Sequence, residues 1–119
     1  METVSIRPVD ESSANAPRVD ASGYLLKRRA FLGGWARRFF VVTYPHLRYF
    51  VSAEDHAHGV EARGVFDLSK ATLGRGNGVF DIALHHEQLS KRWVLQASSK
   101  EELDRWMSAL GRRSRGQTR

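Results

Sequence analysis

The chain has 119 residues and no cysteine. Without thiols, neither a disulfide framework nor a thiolate metal site can form, and the composition fits a reducing compartment. No apolar run approaches the roughly 18 residues that span a bilayer. The opening residues, Met1 to Arg7, lack the apolar core of a secretory signal. The expectation is a cytoplasmic protein, soluble or peripheral to a membrane. Catalytic groupings are missing as well, since no P-loop, activated nucleophile or paired-carboxylate constellation is present. His85 and His86 are adjacent at a strand end and point to opposite faces, while His56 and His58 share a loop without a carboxylate pattern of a metal motif. No catalytic residue, metal site or cofactor is therefore expected, and the chain reads as a non-catalytic binding module.

Acidic residues are also absent from one long stretch. Residues 23–50 carry six cations (Lys27, Arg28, Arg29, Arg37, Arg38, Arg48) and no acid. Their charge equals the net +6 of the whole chain, because the surpluses elsewhere cancel. The segment "KRRAFLGGWARRFF" sets five of these cations around a short apolar tip. Such a field attracts polyanions, whether membrane surface, nucleic acid or an acidic protein.

Residues 1–21, with Pro8, Pro17 and no apolar periodicity, read as a flexible linker, and 113–119 as a basic disordered tail. Between them lies one domain, 22–112. Short apolar runs bounded by turns predict strands at Gly23–Arg29, Trp35–Thr43, Leu47–Ser52, Arg63–Leu68, Ala71–Leu73, Val79–His85 and Arg92–Ala97. The first two flank a hairpin turning at Gly33-Gly34. "EDHAHG" reads as a loop. The last element changes period: Ser99 and Glu102 have capping-box spacing, and Leu103, Trp106, Met107 and Leu110 form one apolar stripe ending at Gly111. Trp106 and Trp93 are expected in the packing, whereas Trp35 is open between loop packing and a membrane interface.

The signatures "GYLLKR", "GWARRFFVV", "LRYF", "RGVFDL" and Trp106 in the closing helix, in that order, resemble a pleckstrin homology (PH) domain. Within that family, "GWARRFFVVTYPHLRYF" followed by "ARGVFDLSKATL" looks most like the PH domain at the C-terminal tail of kinesin-3 motors. The resemblance implies a mostly β fold: a bent, seven-stranded sandwich or barrel capped by one C-terminal α-helix. It also implies a phosphoinositide site at the open end. Lys27 matches the lysine closing the first strand and Arg38 the arginine of the W-x-x-R signature. Arg29, Arg48 and Arg63 are expected to add headgroup contacts, with Arg28, Phe31, Leu32 and Arg37 touching the membrane.

The chemistry is that of anion capture. Arginine donates bidentately and lysine acts as a point charge, each matched to phosphate. Period-2 alternation puts Ala36, Arg38, Phe40 and Val42 on one face, with Arg37 and Phe39 on the other. Strong lipid binders of the family carry a cation where this chain has Ala36, so headgroup recognition should be weaker and diffuse attraction larger. Phe31-Leu32, flanked by cations, suits insertion between headgroups. The expected partner is a phosphoinositide or other anionic membrane, with the parent protein a vesicle-bound motor. The alternative is an acidic protein partner. Nucleic acid is not expected, because Phe40, Val42 and Phe50 are needed in the core. The isolated domain is expected to be monomeric.

Overall fold

The computed structural model describes residues 19–111. Seven strands form one antiparallel sheet: β1 (Ala21–Arg28), β2 (Trp35–Thr43), β3 (His46–Phe50), β4 (Gly64–Asp67), β5 (Ala71–Arg75), β6 (Asp81–His86) and β7 (Arg92–Gln96). A five-residue helix α1 (Ala53–Ala57) links β3 to β4, a 3-10 turn (Leu68–Lys70) precedes β5, and helix α2 (Lys100–Gly111) follows β7. The order across the sheet is β4-β3-β2-β1-β7-β6-β5. This is the mostly β, helix-capped architecture that the resemblance implied.

The long hairpin is the frame of the site. β1 and β2 pair from Ala21↔Val42 to Arg28↔Trp35. By contrast, β1 meets β7 at two positions only, Leu26↔Gln96 and Lys27↔Leu95. The two halves of the sheet diverge from that narrow seam and enclose one core. Phe40, Val42, Leu47, Phe66, Ile82, Leu84, Leu95, Leu103, Trp106 and Leu110 meet there, all but inaccessible to water. Each such side chain contributes about 1.5–3 kcal/mol of burial free energy.

Helix α2 begins as its sequence demands. The Ser99 hydroxyl accepts the Glu102 amide at 3.2 Å. The Glu102 carboxylate accepts from Arg105 Nη2 at 3.0 Å instead of turning back to close the box. The apolar stripe is buried through Leu103, Trp106 and Leu110, and Met107 is partly buried against the core. Gly23 permits the close approach of the helix to β1, since a Cβ there would stand 3.0 Å from Arg105 Nη2 and 3.5 Å from the Trp106 ring.

Three expectations shift. First, "EDHAHG" contributes to α1, whose N-cap Ser52 accepts from the Asp55 amide and whose first turn carries Glu54 and Asp55. Its five residues have no buried stripe, so no helical periodicity is visible. Second, β6 starts at Asp81, and Val79 is exposed in the preceding turn. The buried Asp81 carboxylate organises that turn, accepting from the Gly78 amide at 2.9 Å and Gln96 Nε2 at 3.0 Å. Any Cβ at Gly76 or Gly78 would collide with Asp81, which accounts for two of the three glycines of "GRGNG". Third, the sheet reaches back before residue 22: Asp20 donates its amide to Val42 O at 2.8 Å, and Ala21 is already strand. The rest of the expected linker and the expected basic tail lie outside the described residues.

Candidate functional site

Above the tip of β1 and β2 the chain forms a tight loop. The Arg29 amide donates to Gly34 O at 3.0 Å, closing the loop over Ala30–Gly33. Gly33 and Gly34 hold φ of 72° and 74°, a left-handed pair that glycine adopts without strain. Nothing packs against the tip. Phe31 is 97% exposed and Leu32 79%, so the two apolar side chains stand in water.

Beneath the loop lies a cavity of about 290 Å³. Its lining includes Lys27, Arg28, Arg29, Ala36, Arg38 and Tyr49, with Phe31 and Leu32 at its rim. Strand alternation is the reason. Leu25 and Lys27 share one face of β1, and Arg38, Phe40 and Val42 one face of β2. The inner members of each series fill the core and the outer ones reach the cavity. Tyr49, on the same face of β3 as Leu47, supplies the aromatic floor, and Trp93 packs against it with ring centroids 5.3 Å apart. The Lys27 ammonium lies over both rings, at 5.4 and 5.2 Å, where the ring faces attract a cation.

Among the described residues these cations have no counter-ion. The ion pairs between described residues, Lys100–Asp104 and Glu102–Arg105, both lie on α2. Arg38 Nη1 donates to the neighbouring Arg37 carbonyl at 2.9 Å. Burial, then the positive charges of Arg38 and Lys91, hold the Lys27 pKa below the usual lysine value. Positive charge is thus concentrated around the cavity with no carboxylate in its lining.

The residues expected to bind divide into two groups. Lys27, Arg28, Arg29, Arg38, Phe31 and Leu32 are brought together at the cavity and its rim. Arg37 faces away, its guanidinium 3.7 Å from the centroid of the Tyr24 ring. It borders a second cavity of about 420 Å³ lined by Leu26, Phe80, Gln96 and Ala97, where it is the one cation. Arg48 pairs with Val41 and Val65, which places it on the sheet face opposite Tyr49 and so opposite Lys27. Arg63 precedes β4 as an exposed residue whose amide donates to Tyr49 O at 2.8 Å, outside the lining of the cavity. Strand parity thus turns Arg48 away from the cavity, and chain position leaves Arg63 outside its lining.

Tyr49 and Lys91 are the participants that sequence reasoning missed. Tyr49 could have been found by alternation, two residues after the core position Leu47. Lys91 had no such signal. It comes from the turn between β6 and β7, donates to the Val65 carbonyl, and lies 5.3 Å from the Trp93 ring. Trp93 was assigned to sheet packing and does pack there, 8% exposed, while also lying beneath two ammonium groups. Trp35 is half-buried at the hairpin neck, with the guanidinium of its cross-strand partner Arg28 5.1 Å above it.

Comparison with known proteins gives consistent results. A sequence profile described as "PH domain" matches residues 19–115. Kinesin-related protein 1 of Dictyostelium discoideum is 32% identical over 99 residues, covering 83% of this chain and 4% of that protein. The ceramide transfer protein of Mus musculus is 28% identical over 104 residues, covering 85% of this chain and 16% of that protein. The chain thus spans a small fraction of these relatives. Among solved structures, the Slm1-PH domain in complex with phosphoserine superposes with a TM-score of 0.66 at 28% identity, covering 76% of this chain and 90% of that one. The C-terminal PH domain of pleckstrin in complex with an inositol pentakisphosphate superposes with a TM-score of 0.71 at 20% identity, covering 84% and 99%.

Proposed function

The chain belongs to the PH domain family, and from that membership we propose that it binds phosphoinositides and anionic membranes and thereby anchors a larger protein to them. PH domains are generally non-catalytic binding modules, and this one is read as such. The observation that carries the reading is the cavity itself. Lys27, Arg28, Arg29 and Arg38 surround it without a carboxylate, and two fully projecting apolar residues stand at its mouth.

The division of labour follows from that geometry. Lys27 and Arg38 are the headgroup ligands, seated on adjacent strands that cannot spread apart. Arg28 and Arg29 supply surface attraction, about 1 kcal/mol per cation near an anionic leaflet. Phe31 and Leu32 enter the interface, where burial contributes about 1.5–3 kcal/mol each when complete and less when partial. Ala36 leaves one wall of the cavity without a phosphate donor, so binding depends on the membrane more than on the headgroup. The likeness to a kinesin-related protein supports the narrower reading, a motor-borne domain that holds vesicle cargo.

Cosedimentation with phosphatidylcholine vesicles at physiological salt, with and without anionic lipid and phosphoinositide, tests the proposal. Binding should require anionic lipid and strengthen with phosphoinositide. Absence of binding to every vesicle would sink it and leave an acidic protein as the partner.

A further inference from the structure

We propose that the second cavity, around Arg37, is a docking site for an acidic protein segment in which an apolar side chain stands next to a carboxylate. This site lies beyond the membrane reading, which uses the other face of the same hairpin.

The cavity exists because β1 and β7 separate. Their pairing is confined to Leu26↔Gln96 and Lys27↔Leu95. The residues before Leu26 and those after Gln96 diverge and leave a space of about 420 Å³. Tyr24, Leu26, Phe80 and Ala97 make its lining mainly apolar, and Arg37 is the one cation there, with no acid beside it. Leu26 and Arg37 are direct cross-strand partners. They occupy the face opposite Lys27 and Arg38, because successive strand residues alternate sides. An apolar surface and a guanidinium thus stand side by side.

Both walls are held in place before any ligand arrives. The Arg37 guanidinium lies 3.7 Å from the Tyr24 ring centroid. The Tyr24 hydroxyl in turn accepts the Ala53 amide at 2.9 Å, which fixes the ring. A guanidinium stacked by its face keeps its edge N–H groups for a bidentate carboxylate. On the other side, Phe80 O accepts the Ala97 amide at 3.0 Å. Arg75 Nε donates to Asp81 O at 2.9 Å, and Gln96 Nε2 to the Asp81 carboxylate at 3.0 Å. Walls that need no rearrangement lower the cost of binding. Val79, next to Phe80 in the chain and 76% exposed, adds an uncovered apolar side chain to the same turn.

The lining selects between anions. A phosphoinositide headgroup carries about −1.5 to −2 on each phosphate monoester and would meet a single cation here. A lone carboxylate needs only one guanidinium, and a neighbouring apolar side chain matches Leu26 and Phe80. A desolvated apolar anchor beside an arginine is the usual make-up of an interface hot spot. Ser98, exposed and in the lining, offers a hydroxyl to the peptide backbone.

Three synthetic peptides test the site by NMR titration of the nitrogen-15-labelled chain: acetyl-SDFDS-amide, acetyl-SNFNS-amide without the charges, and acetyl-SDSDS-amide without the apolar group. The first should shift the amides of Leu26, Phe80 and Ala97 saturably. The other two should bind there about tenfold more weakly or less. Arg37→Gln should abolish the preference for the first peptide over the second. No saturable shift at these amides, or equal binding of all three peptides, overturns the proposal. So do shifts confined to Arg29 and Ala36, which would place the acidic segment in the Lys27 cavity instead. Soluble inositol phosphate that saturably moves Leu26, Phe80 and Ala97 would make this a second headgroup site and also overturn it. A failure of vesicle binding touches the membrane reading alone.

Discussion

The ring of Tyr49 occupies the space that Gly64 leaves open: a Cβ on Gly64 would stand 2.4 Å from Cε2 and 3.0 Å from Cζ of its cross-strand partner. The aromatic floor of the cavity is therefore set by a glycine on the neighbouring strand. Gly64→Val should displace the ring, destabilise the domain by about 1–3 kcal/mol and weaken headgroup binding. Urea denaturation and calorimetry with soluble inositol phosphate measure the two effects. Wild-type stability together with wild-type binding would show that the floor can move at no cost.

Arg38 and Arg37 are sequence neighbours on opposite faces, which makes them a matched pair. Arg38→Ala should remove about 1.5–3 kcal/mol of charge-assisted bonding and abolish phosphoinositide preference with the fold retained. Arg37→Ala loses its contact with Tyr24 and should cost much less in binding. Equal losses in a vesicle assay would mean that no defined headgroup pocket exists.

The loop tip and Ala36 should separate surface from pocket. Phe31→Ser with Leu32→Ser should weaken vesicle binding while leaving affinity for soluble headgroup nearly unchanged. Ala36→Lys should do the converse and tighten headgroup binding. Tight calorimetric binding of soluble headgroup by the unaltered chain would contradict this division.

Attraction through exposed cations is screened over about 8 Å at 0.15 M salt. Affinity for anionic vesicles should accordingly fall steeply as salt rises. A flat response in a salt series would remove the electrostatic account.

Lys27 offers a spectroscopic readout. Its pKa lies below the ordinary lysine value because of burial and the charges of Arg38 and Lys91. The native state thus holds this proton less tightly than the unfolded chain does. The resulting penalty is full below the native pKa and is relieved as pH rises through it. Lys91→Met or Arg38→Met should raise the Lys27 pKa in an NMR titration, and so should bound inositol phosphate, which favours the charged form. An unmoved pKa in all three cases would show that these groups do not share a field.

Much of this was legible in the sequence because period-2 alternation survives wherever one strand face is buried. "GWARRFFVV" gives the strand, its inward face and the opposed directions of Arg37 and Arg38. The apolar stripe through Trp106 gives the closing helix in the same way. What was not legible depends on contacts distant in sequence. Arg48 was grouped with the ligands, although its parity relative to Leu47 places it on the other face. Lys91 belongs near Lys27 only because β7 returns beside β1, and no local pattern carries that pairing. The short helix α1 was hidden because it buries none of its residues. It is held instead by the Tyr24 hydroxyl, which accepts the Ala53 amide at 2.9 Å, and by the His56 ring, 4.9 Å from that of Phe50.

The single strand β1 also has a mechanical consequence. It starts at Ala21, beside α2, where Arg105 reaches the Ser22 carbonyl at 3.4 Å, and it runs straight to the loop that carries Phe31 and Leu32. When that loop is gripped by a lipid surface and the chain is pulled from before Ala21, tension passes along the covalent backbone of one strand. The ladders to β2 and β7 and the core beneath them lie outside the load path. A pull from beyond Gly111, by contrast, must pass through the packing of α2. Under load from the β1 side, the force borne at Phe31 and Leu32 reaches the lipid along one strand without shearing the sheet.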